Sequence, residues 1–281
     1  MRTIEPSLDF RLRHQAESAD SMPVRPLTKF QSPATERLLR HHGLGSLDAI
    51  FAERDSAQVR HVGRAVFKLE LRGTDGKLVT AFVKLSWGRR RWWPRLADIR
   101  SGQVFMSLAV REWEGLGVFE QLGLHVPERL AILEEGLLWK RSALIVKSVP
   151  PPASLSEMIL NGAWLALPLE DRRRILEQVA QALLRIHAAG WAWRSISTRH
   201  VFPQREGSAA WGIWLIDCEG VHRTRSPETL QRDIRRFIRA LAHDRADEQT
   251  VGMMRFIASQ LPALESLGRR ERHPKVNKSA A

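Results

Sequence analysis

Three residues of this 281-residue chain have the types and order that phosphoryl transfer requires. Lys84 ends an apolar, strand-like run, so its ammonium could hold phosphate oxygens. Glu112 lies on the first predicted helix after that lysine and could fix the ammonium by pairing with it; Glu114 is the competing partner. Asp217 follows the apolar run Trp211–Ile216, where an unpaired carboxylate is costly unless a cation or donor accompanies it. A metal ion would be such a cation, whereas the alternative for Asp217 is a cap or turn residue.

A second segment, Trp193-Arg194-Ser195, has the layout of a protein-kinase catalytic loop that lacks its aspartate. Kinases place His-Arg-Asp in this loop and a magnesium-binding aspartate after the following strand. Arg194, Ser195 (at the position of the base) and Asp217 are therefore the candidate catalytic residues. Serine cannot accept a proton near neutral pH as a carboxylate does, so the loop is degenerate at its central position.

Three further residues complete the predicted nucleotide site. His200 stands where kinases have a second metal ligand; neutral imidazole can ligate a metal or bond to its water, although Mg²⁺ prefers oxygen. A structural histidine bonded to the backbone is the alternative. Gly63 and Arg64 precede the first strand, where a glycine allows the backbone to approach phosphate and the arginine adds charge. A lone lysine at a strand end is usually a surface residue, but its place in this ordered set favours a binding role for Lys84.

Hydrophobic patterning locates the elements that must position these residues. Two predicted strands, Val59–Leu71 and Leu78–Val83, flank the turn signal Gly73–Gly76. Apolar residues recur at helical spacing over Asp171–Ala189 and again over Leu230–Leu241. The order strand, strand, helix, strand, strand and then a mostly helical half is that of a protein kinase.

We therefore predict an α+β, two-lobed, protein-kinase-like fold. The small β-rich N-lobe is assigned to 55–149 and the mostly helical C-lobe to 150–268, with the boundary at the Pro150–Pro152 run. An N-terminal extension with a short helix is assigned to 1–54. Residues 269–281 form a basic tail, for which a solvated end is the alternative to a binding role.

The formal charge of +13 indicates an anionic partner, such as a nucleotide, a phosphorylated glycan or a membrane surface. The single cysteine, Cys218, excludes an internal disulfide framework and fits a reducing cytoplasm. No apolar run approaches the roughly 20 residues of a membrane span, and the N-terminus has no secretory pattern. We expect a cytoplasmic protein, soluble or peripheral on a membrane.

Several short motifs together resemble the bacterial lipopolysaccharide kinase family, which includes core heptose kinases and Kdo kinases. The resemblance covers about residues 55 to 245 and rests on Gly63-Arg64, Phe82-Val83-Lys84, Arg111-Glu112-Trp113, Leu183–His187, the Arg194 to His200-x-Phe202 spacing, Leu215-Ile216-Asp217 and Arg232-Asp233-Ile234. It implies a protein-kinase-like fold, ATP and Mg²⁺ as cofactors, an inner-core sugar as acceptor, and action at the cytoplasmic face of the inner membrane. On this resemblance Gly63, Arg64, Lys84 and Glu112 bind the nucleotide, and Asp217 and His200 the metal.

The family carries His-Arg-Asp where this chain has Trp193-Arg194-Ser195, so two hypotheses stay open. One is a phosphotransferase that acts weakly on an inner-core sugar of lipopolysaccharide, because a general base contributes only about 10² to 10⁴-fold. Glu219 is then a candidate partial substitute. The other is a pseudokinase, a nucleotide-binding or scaffold module beside an active kinase partner.

The segment Trp87–Arg95 interleaves arginines with indoles. It suits contact with the lipopolysaccharide core glycolipid or with the anionic inner-membrane surface, because tryptophan lies at headgroup depth and arginine binds phosphate. The alternatives are indoles packed on the protein itself and, less favoured, binding of nucleic acid.

Overall fold

The computed structural model describes residues 26–56, 59–61, 63–73, 76–89, 106–136, 139–150, 153–207, 210–224, 226 and 228–261. Six strands form its main sheet: β1 (Leu27–Phe30), β2 (Val59–His61), β3 (Arg64–Arg72), β4 (Leu78–Arg89), β5 (Arg129–Glu135) and β6 (Trp139–Lys147). They pair antiparallel in the order β1-β5-β6-β4-β3-β2.

Among the described residues, eight α-helices and two short two-stranded antiparallel sheets accompany the main sheet. The helices are α1 (Pro33–His41), α2 (Leu47–Ala52), α3 (Leu108–Gln121), α4 (Leu155–Leu160), α5 (Ala163–Ala166), α6 (Leu169–Ala188), α7 (Glu228–His243) and α8 (Glu248–Gln260). The short strands are β7 (Trp191–Trp193), β8 (Val201–Glu206), β9 (Ala210–Leu215) and β10 (Val221–Arg223), which pair as β7 with β10 and β8 with β9. No helix among the described residues is both long and apolar enough to cross a membrane.

Two hydrophobic cores lie among the described residues. The smaller core joins the main sheet to α1 and α2 through buried side chains such as Phe67, Val83 and Ile50. The larger core joins α3 to the C-terminal helices, with Trp113 and Phe237 among its buried aromatics. Because α3 lies between β4 and β5 of the main sheet in sequence but packs into the second core, it links the two lobes.

The contact between α3 and the 3-10 turn Cys218–Gly220 is unusually close. A Cβ added at Gly115 of α3 would lie 2.3 Å from the carbonyl oxygen of Cys218, which is well inside van der Waals contact. Only glycine allows this approach. The helix that carries Glu112 is thereby held against the turn that follows Asp217.

The predicted α+β, two-lobed arrangement is observed. The predicted strand Val59–Leu71 is instead divided into β2 and β3, which pair antiparallel on either side of Gly63, whose φ is positive. Strands β3 and β4 pair from Arg72 and Leu78 outward, around the predicted turn. Helix α6 matches the predicted segment Asp171–Ala189 except at its last residue, and α7 contains the predicted segment Leu230–Leu241. Within the predicted N-terminal extension, Ser32 caps α1 by accepting from the amide of Thr35 at 3.1 Å. Strand β1 in the same extension adds an edge to the main sheet, and the sequence pattern did not predict it.

Candidate active site

Lys84 and Glu112 form an ion pair between the sheet and α3. The Nζ atom of Lys84 donates to Oε1 of Glu112 at 2.5 Å, with the two side chains 27% and 6% exposed. Lys84 lies in the middle of β4, which continues to Arg89 and does not end at the lysine as predicted. The neighbouring strands β3 and β6 pair along this stretch and fix its position. Ser107 caps the start of α3 and thereby sets where Glu112 falls on the helix. The alternative partner, Glu114, is exposed.

Burial and the charge of the partner side chain shift the pKa values of Lys84 and Glu112 in opposite directions. Burial is the largest influence on Lys84 and lowers its pKa, but the carboxylates of Glu112 and Asp217 outweigh burial and hold the pKa of Lys84 above its ordinary value. Burial also dominates at Glu112, and it raises the pKa of that carboxyl despite the attraction of Lys84. The ammonium therefore stays charged at neutral pH, whereas the glutamate depends on the lysine to remain ionised.

Asp217 lies just beyond β9 with its backbone in the left-handed region, at φ 58° and ψ 59°. Residues other than glycine seldom adopt this conformation, and it is commonly found at functional sites. Asp217 stands at the start of the following turn, as the alternative of a cap or turn residue predicts, but its side chain makes no capping bond there. Burial acts against ionisation, but His200 and Lys84 more than compensate and keep the pKa of Asp217 below its ordinary value.

His200 connects Asp217 to the degenerate loop through both of its ring nitrogens. Its Nδ1 lies 2.8 Å from the backbone carbonyl of Ser195, which can only accept, so Nδ1 donates. Its Nε2 lies 3.1 Å from Oδ2 of Asp217. The backbone bond matches the structural alternative considered for this histidine, and the second contact places it directly beside the candidate metal-binding carboxylate.

A cavity of about 280 Å³ brings most of the predicted nucleotide-site residues together. Its charged and polar lining includes Arg64, Lys84, Glu112, His200, Asp217 and Glu219. Arg64 reaches across to Glu219, with Nη2 to Oε1 at 3.5 Å. Burial and the nearby Asp217 raise the pKa of Glu219. Such a lining offers cations to a polyphosphate and carboxylates to a metal ion.

The cavity wall does not include Gly63, Arg194 or Ser195. Gly63 adopts φ +76°, and a Cβ there would lie 2.7 Å from the carbonyl of Trp87, so it is a tight turn beside the first strand of the site. Arg194 is half-buried, and its backbone amide donates to Gly220 at 3.2 Å. Ser195 is half-buried and donates its hydroxyl to the carbonyl of Asp217 at 3.2 Å.

Asp233 anchors the backbone of the loop Trp193-Arg194-Ser195, a role that the sequence analysis did not assign. This fully buried carboxylate accepts from the amide of Trp193 at 2.9 Å, contacts His187 at 3.1 Å and accepts from Arg236 at 2.7 Å. The motif Arg232-Asp233-Ile234 was visible in the sequence, but two of the partners of Asp233 lie on α6 and β7, about 40 positions away in the chain. The local signals are an acid at this place in an amphipathic helix and an arginine three residues later.

Mg²⁺ is usually bound through one or two carboxylates together with substrate phosphates and water. Asp217 fits that role, because its carboxylate is ionised and lies in the same cavity as Lys84. Nδ1 of His200 is used in the bond to Ser195 and Nε2 lies beside the carboxylate of Asp217, so its predicted role as a metal ligand stays a prediction. In the present geometry it orients the carboxylate of Asp217.

The predicted membrane-binding segment Trp87–Arg95 is described only as far as residue 89, and 90–95 lie outside the described residues. Trp87 is half-buried. Its ring packs edge-on against Phe51 at 6.0 Å and lies under the guanidinium of Arg54 at 5.7 Å. This first indole of the segment therefore packs on the protein.

Comparisons of the sequence and the fold with known proteins identify the family of this chain. No curated protein gave a significant sequence match. A solved structure of WaaP in complex with acyl carrier protein has a similar fold, with a TM-score of 0.61 and 17% identity over 86% of this chain and 92% of that one. The sequence profile of the "Lipopolysaccharide kinase (Kdo/WaaP) family" matches residues 72–256, which is more than half of the chain. This chain therefore belongs to the lipopolysaccharide kinase (Kdo/WaaP) family.

Proposed function

We propose that this protein transfers the γ-phosphoryl group of ATP to a hydroxyl of an inner-core sugar of lipopolysaccharide, at a low rate. The products are a sugar phosphate ester, ADP and a proton. The observation that carries the proposal is the Lys84–Glu112 ion pair in one cavity with the ionised Asp217. Members of the family are kinases, and phosphoryl transfer depends mainly on positioning and electrostatics.

Each residue of the cavity has a distinct task in this proposal. Lys84, held by Glu112, presents its ammonium to phosphate oxygens, and Arg64 at the start of β3 adds a second cation. Gly63 allows the adjoining backbone to approach the phosphates. Asp217 would hold Mg²⁺, which neutralises charge on the β- and γ-phosphates when bound.

The low rate follows from Ser195. A sugar hydroxyl must lose its proton as it attacks, and serine offers no base for that proton. Loss of a general base lowers the rate by about 10² to 10⁴-fold without removing the contributions of positioning and charge. Glu219 is the candidate partial substitute, because its carboxylate lines the same cavity. Arg194 would remain as a cation near the acceptor.

A pseudokinase is the second candidate function, and one observation favours it. The hydroxyl of Ser195 donates to the backbone carbonyl of Asp217. The residue at the position that normally binds the acceptor hydroxyl therefore contacts the proposed metal-binding residue of the nucleotide site. The protein would then bind ATP and Mg²⁺ and act as a scaffold for an active kinase of lipopolysaccharide core assembly. We propose the cytoplasmic face of the inner membrane as its location in either case, with the net charge of +13 attracting anionic lipid or glycolipid.

The test is transfer of ³²P from γ-labelled ATP with Mg²⁺ to purified lipopolysaccharide core oligosaccharide. We expect slow labelling of the oligosaccharide that Asp217→Asn abolishes. Glu112→Gln should also reduce it strongly, whereas the matched change Glu114→Gln, two positions further along α3 on its exposed side, should not. Labelling equal in wild type and Asp217→Asn would refute the kinase proposal. Magnesium-dependent ATP binding without labelling would favour the pseudokinase.

A further inference from the structure

Two side-chain donors converge on a single backbone oxygen, the carbonyl of Asp217. The hydroxyl of Ser195 donates to it at 3.2 Å and the indole N–H of Trp193 at 3.3 Å. Both donors come from the degenerate loop, and both replace residues of the usual His-Arg-Asp triplet. The oxygen that they hold belongs to the residue with the left-handed backbone, which needs support from its surroundings to persist.

Both the side chain and the backbone carbonyl of Ser195 form hydrogen bonds within the site, the first to Asp217 and the second to His200. Its hydroxyl binds the backbone of Asp217, and its own carbonyl accepts from Nδ1 of His200 at 2.8 Å. The other nitrogen of His200 lies 3.1 Å from the carboxylate of Asp217. Ser195, His200 and Asp217 are therefore linked in a closed ring by two hydrogen bonds and the His200–Asp217 contact, which orients the carboxylate through both its side chain and its backbone.

The space around the hydroxyl suits a small side chain. A Cβ added at Gly220 would lie 2.4 Å from Oγ and 2.7 Å from the backbone nitrogen of Ser195, so the serine packs directly on the glycine backbone. The amide of Arg194 adds a hydrogen bond to the carbonyl of Gly220 at 3.2 Å. A carboxylate in the place of this hydroxyl would have less room, and it could not donate to the carbonyl of Asp217.

We propose that Ser195 is a positioning residue for the magnesium-binding carboxylate of Asp217 rather than the remnant of a lost base. This inference rests on the proposed nucleotide site and adds a specific consequence. Restoring an aspartate at position 195 should remove a donor from the ring, place a negative charge beside a carbonyl oxygen and weaken the site. The degenerate loop thus holds the metal-binding residue in place and does not deprotonate the acceptor.

The test compares Ser195→Ala, Ser195→Thr and Ser195→Asp with wild type by calorimetric titration of ATP, with Mg²⁺ and with EDTA. Losing one hydrogen bond should weaken Mg²⁺-dependent ATP affinity by about three- to tenfold in Ser195→Ala and at least as much in Ser195→Asp. ATP affinity in EDTA should not change, because the ring acts on the metal-binding carboxylate. Ser195→Thr keeps the hydroxyl and should retain the affinity. Ser197→Ala, two residues along the loop at a hydroxyl with no capping bond, is the matched control.

Three results would overturn the inference: Mg²⁺-dependent affinity in Ser195→Ala equal to wild type, an equal loss in Ser195→Thr, or faster phosphoryl transfer by Ser195→Asp. If wild type binds no Mg²⁺-ATP, the proposed function fails. A second measurement then tests whether Ser195 positions the backbone of the loop. Hydrogen exchange of the Arg194 amide, which donates to Gly220, should then accelerate by about three- to tenfold in nucleotide-free Ser195→Ala. An unchanged exchange rate would refute the positioning role independently.

Discussion

Removal of Lys84 should destabilise the protein in a pH-dependent way, because it leaves a buried carboxylate without its counter-ion. Glu112 is 6% exposed and lies near the further carboxylates of Asp217 and Glu219, which oppose its ionisation. Breaking a buried pair by removing one partner costs about 3 to 5 kcal/mol. We therefore expect Lys84→Met to lose about that much free energy of unfolding near pH 8.

The loss should shrink as the pH falls. Burial already raises the pKa of Glu112 in wild type, and the loss of Lys84 raises it further. A carboxyl whose folded pKa exceeds its unfolded value of about 4.3 contributes stability in its protonated form, and that contribution disappears as the pH rises through the folded pKa. The cost of Lys84→Met should therefore be small near pH 5 and large near pH 8. Lys84 itself stays charged throughout this window, because its own pKa is raised.

Urea unfolding of wild type and Lys84→Met at about pH 5 and about pH 8 measures the free energy of unfolding at each pH. The comparison requires that the denaturant dependence (m value) be similar in the two proteins. The double variant Lys84→Met/Glu112→Leu should recover most of the stability at high pH, because replacement of a buried pair by apolar side chains is often neutral. Lys147→Met is the matched control, since its pair with Glu128 is about half exposed and worth at most about 1 kcal/mol. An equal loss at both pH values, or a double variant less stable than Lys84→Met, would refute the reasoning.

Three further changes test the packing that holds the site. Gly220→Ala should abolish magnesium-dependent ATP binding in titrations and cost about 1 to 3 kcal/mol in urea unfolding, since the new methyl would lie 2.4 Å from the hydroxyl of Ser195. Gly115→Ala should destabilise by a similar amount, because the methyl meets the carbonyl of Cys218 at 2.3 Å; a melting temperature equal to wild type would contradict this contact. Asp233→Asn removes a fully buried, triply bonded charge and should cost about 3 to 5 kcal/mol, and a loss under 1 kcal/mol by urea unfolding would show that the anchor is dispensable.

Much of the fold could be predicted because its signals are local. Alternation of apolar residues in β3 and β4, the glycine-bearing turn between them and the helical spacing in α6 all act within a few residues. Strand β1 could not be predicted in the same way. It has four residues, three of them exposed, and it exists because β5 offers it an edge about 100 positions further along the chain. Pairing with a strand far away in the sequence produces no alternating apolar pattern in such a short, mostly exposed segment.

The sequence by itself determined which chemical groups are present and in what order: a lysine after an apolar run, a helical glutamate, a serine at the position of the base and an aspartate after an apolar strand. Only the tertiary structure decided how they meet. Packing of α3 selected Glu112 rather than Glu114, and the approach of the loop to the turn after Asp217 directed the Ser195 hydroxyl to a carbonyl 22 positions away. Local periodicity fixes the face on which a residue lies, but hydrogen-bond partners depend on side-chain positions at the ångström scale, which are set by contacts between segments far apart in the chain.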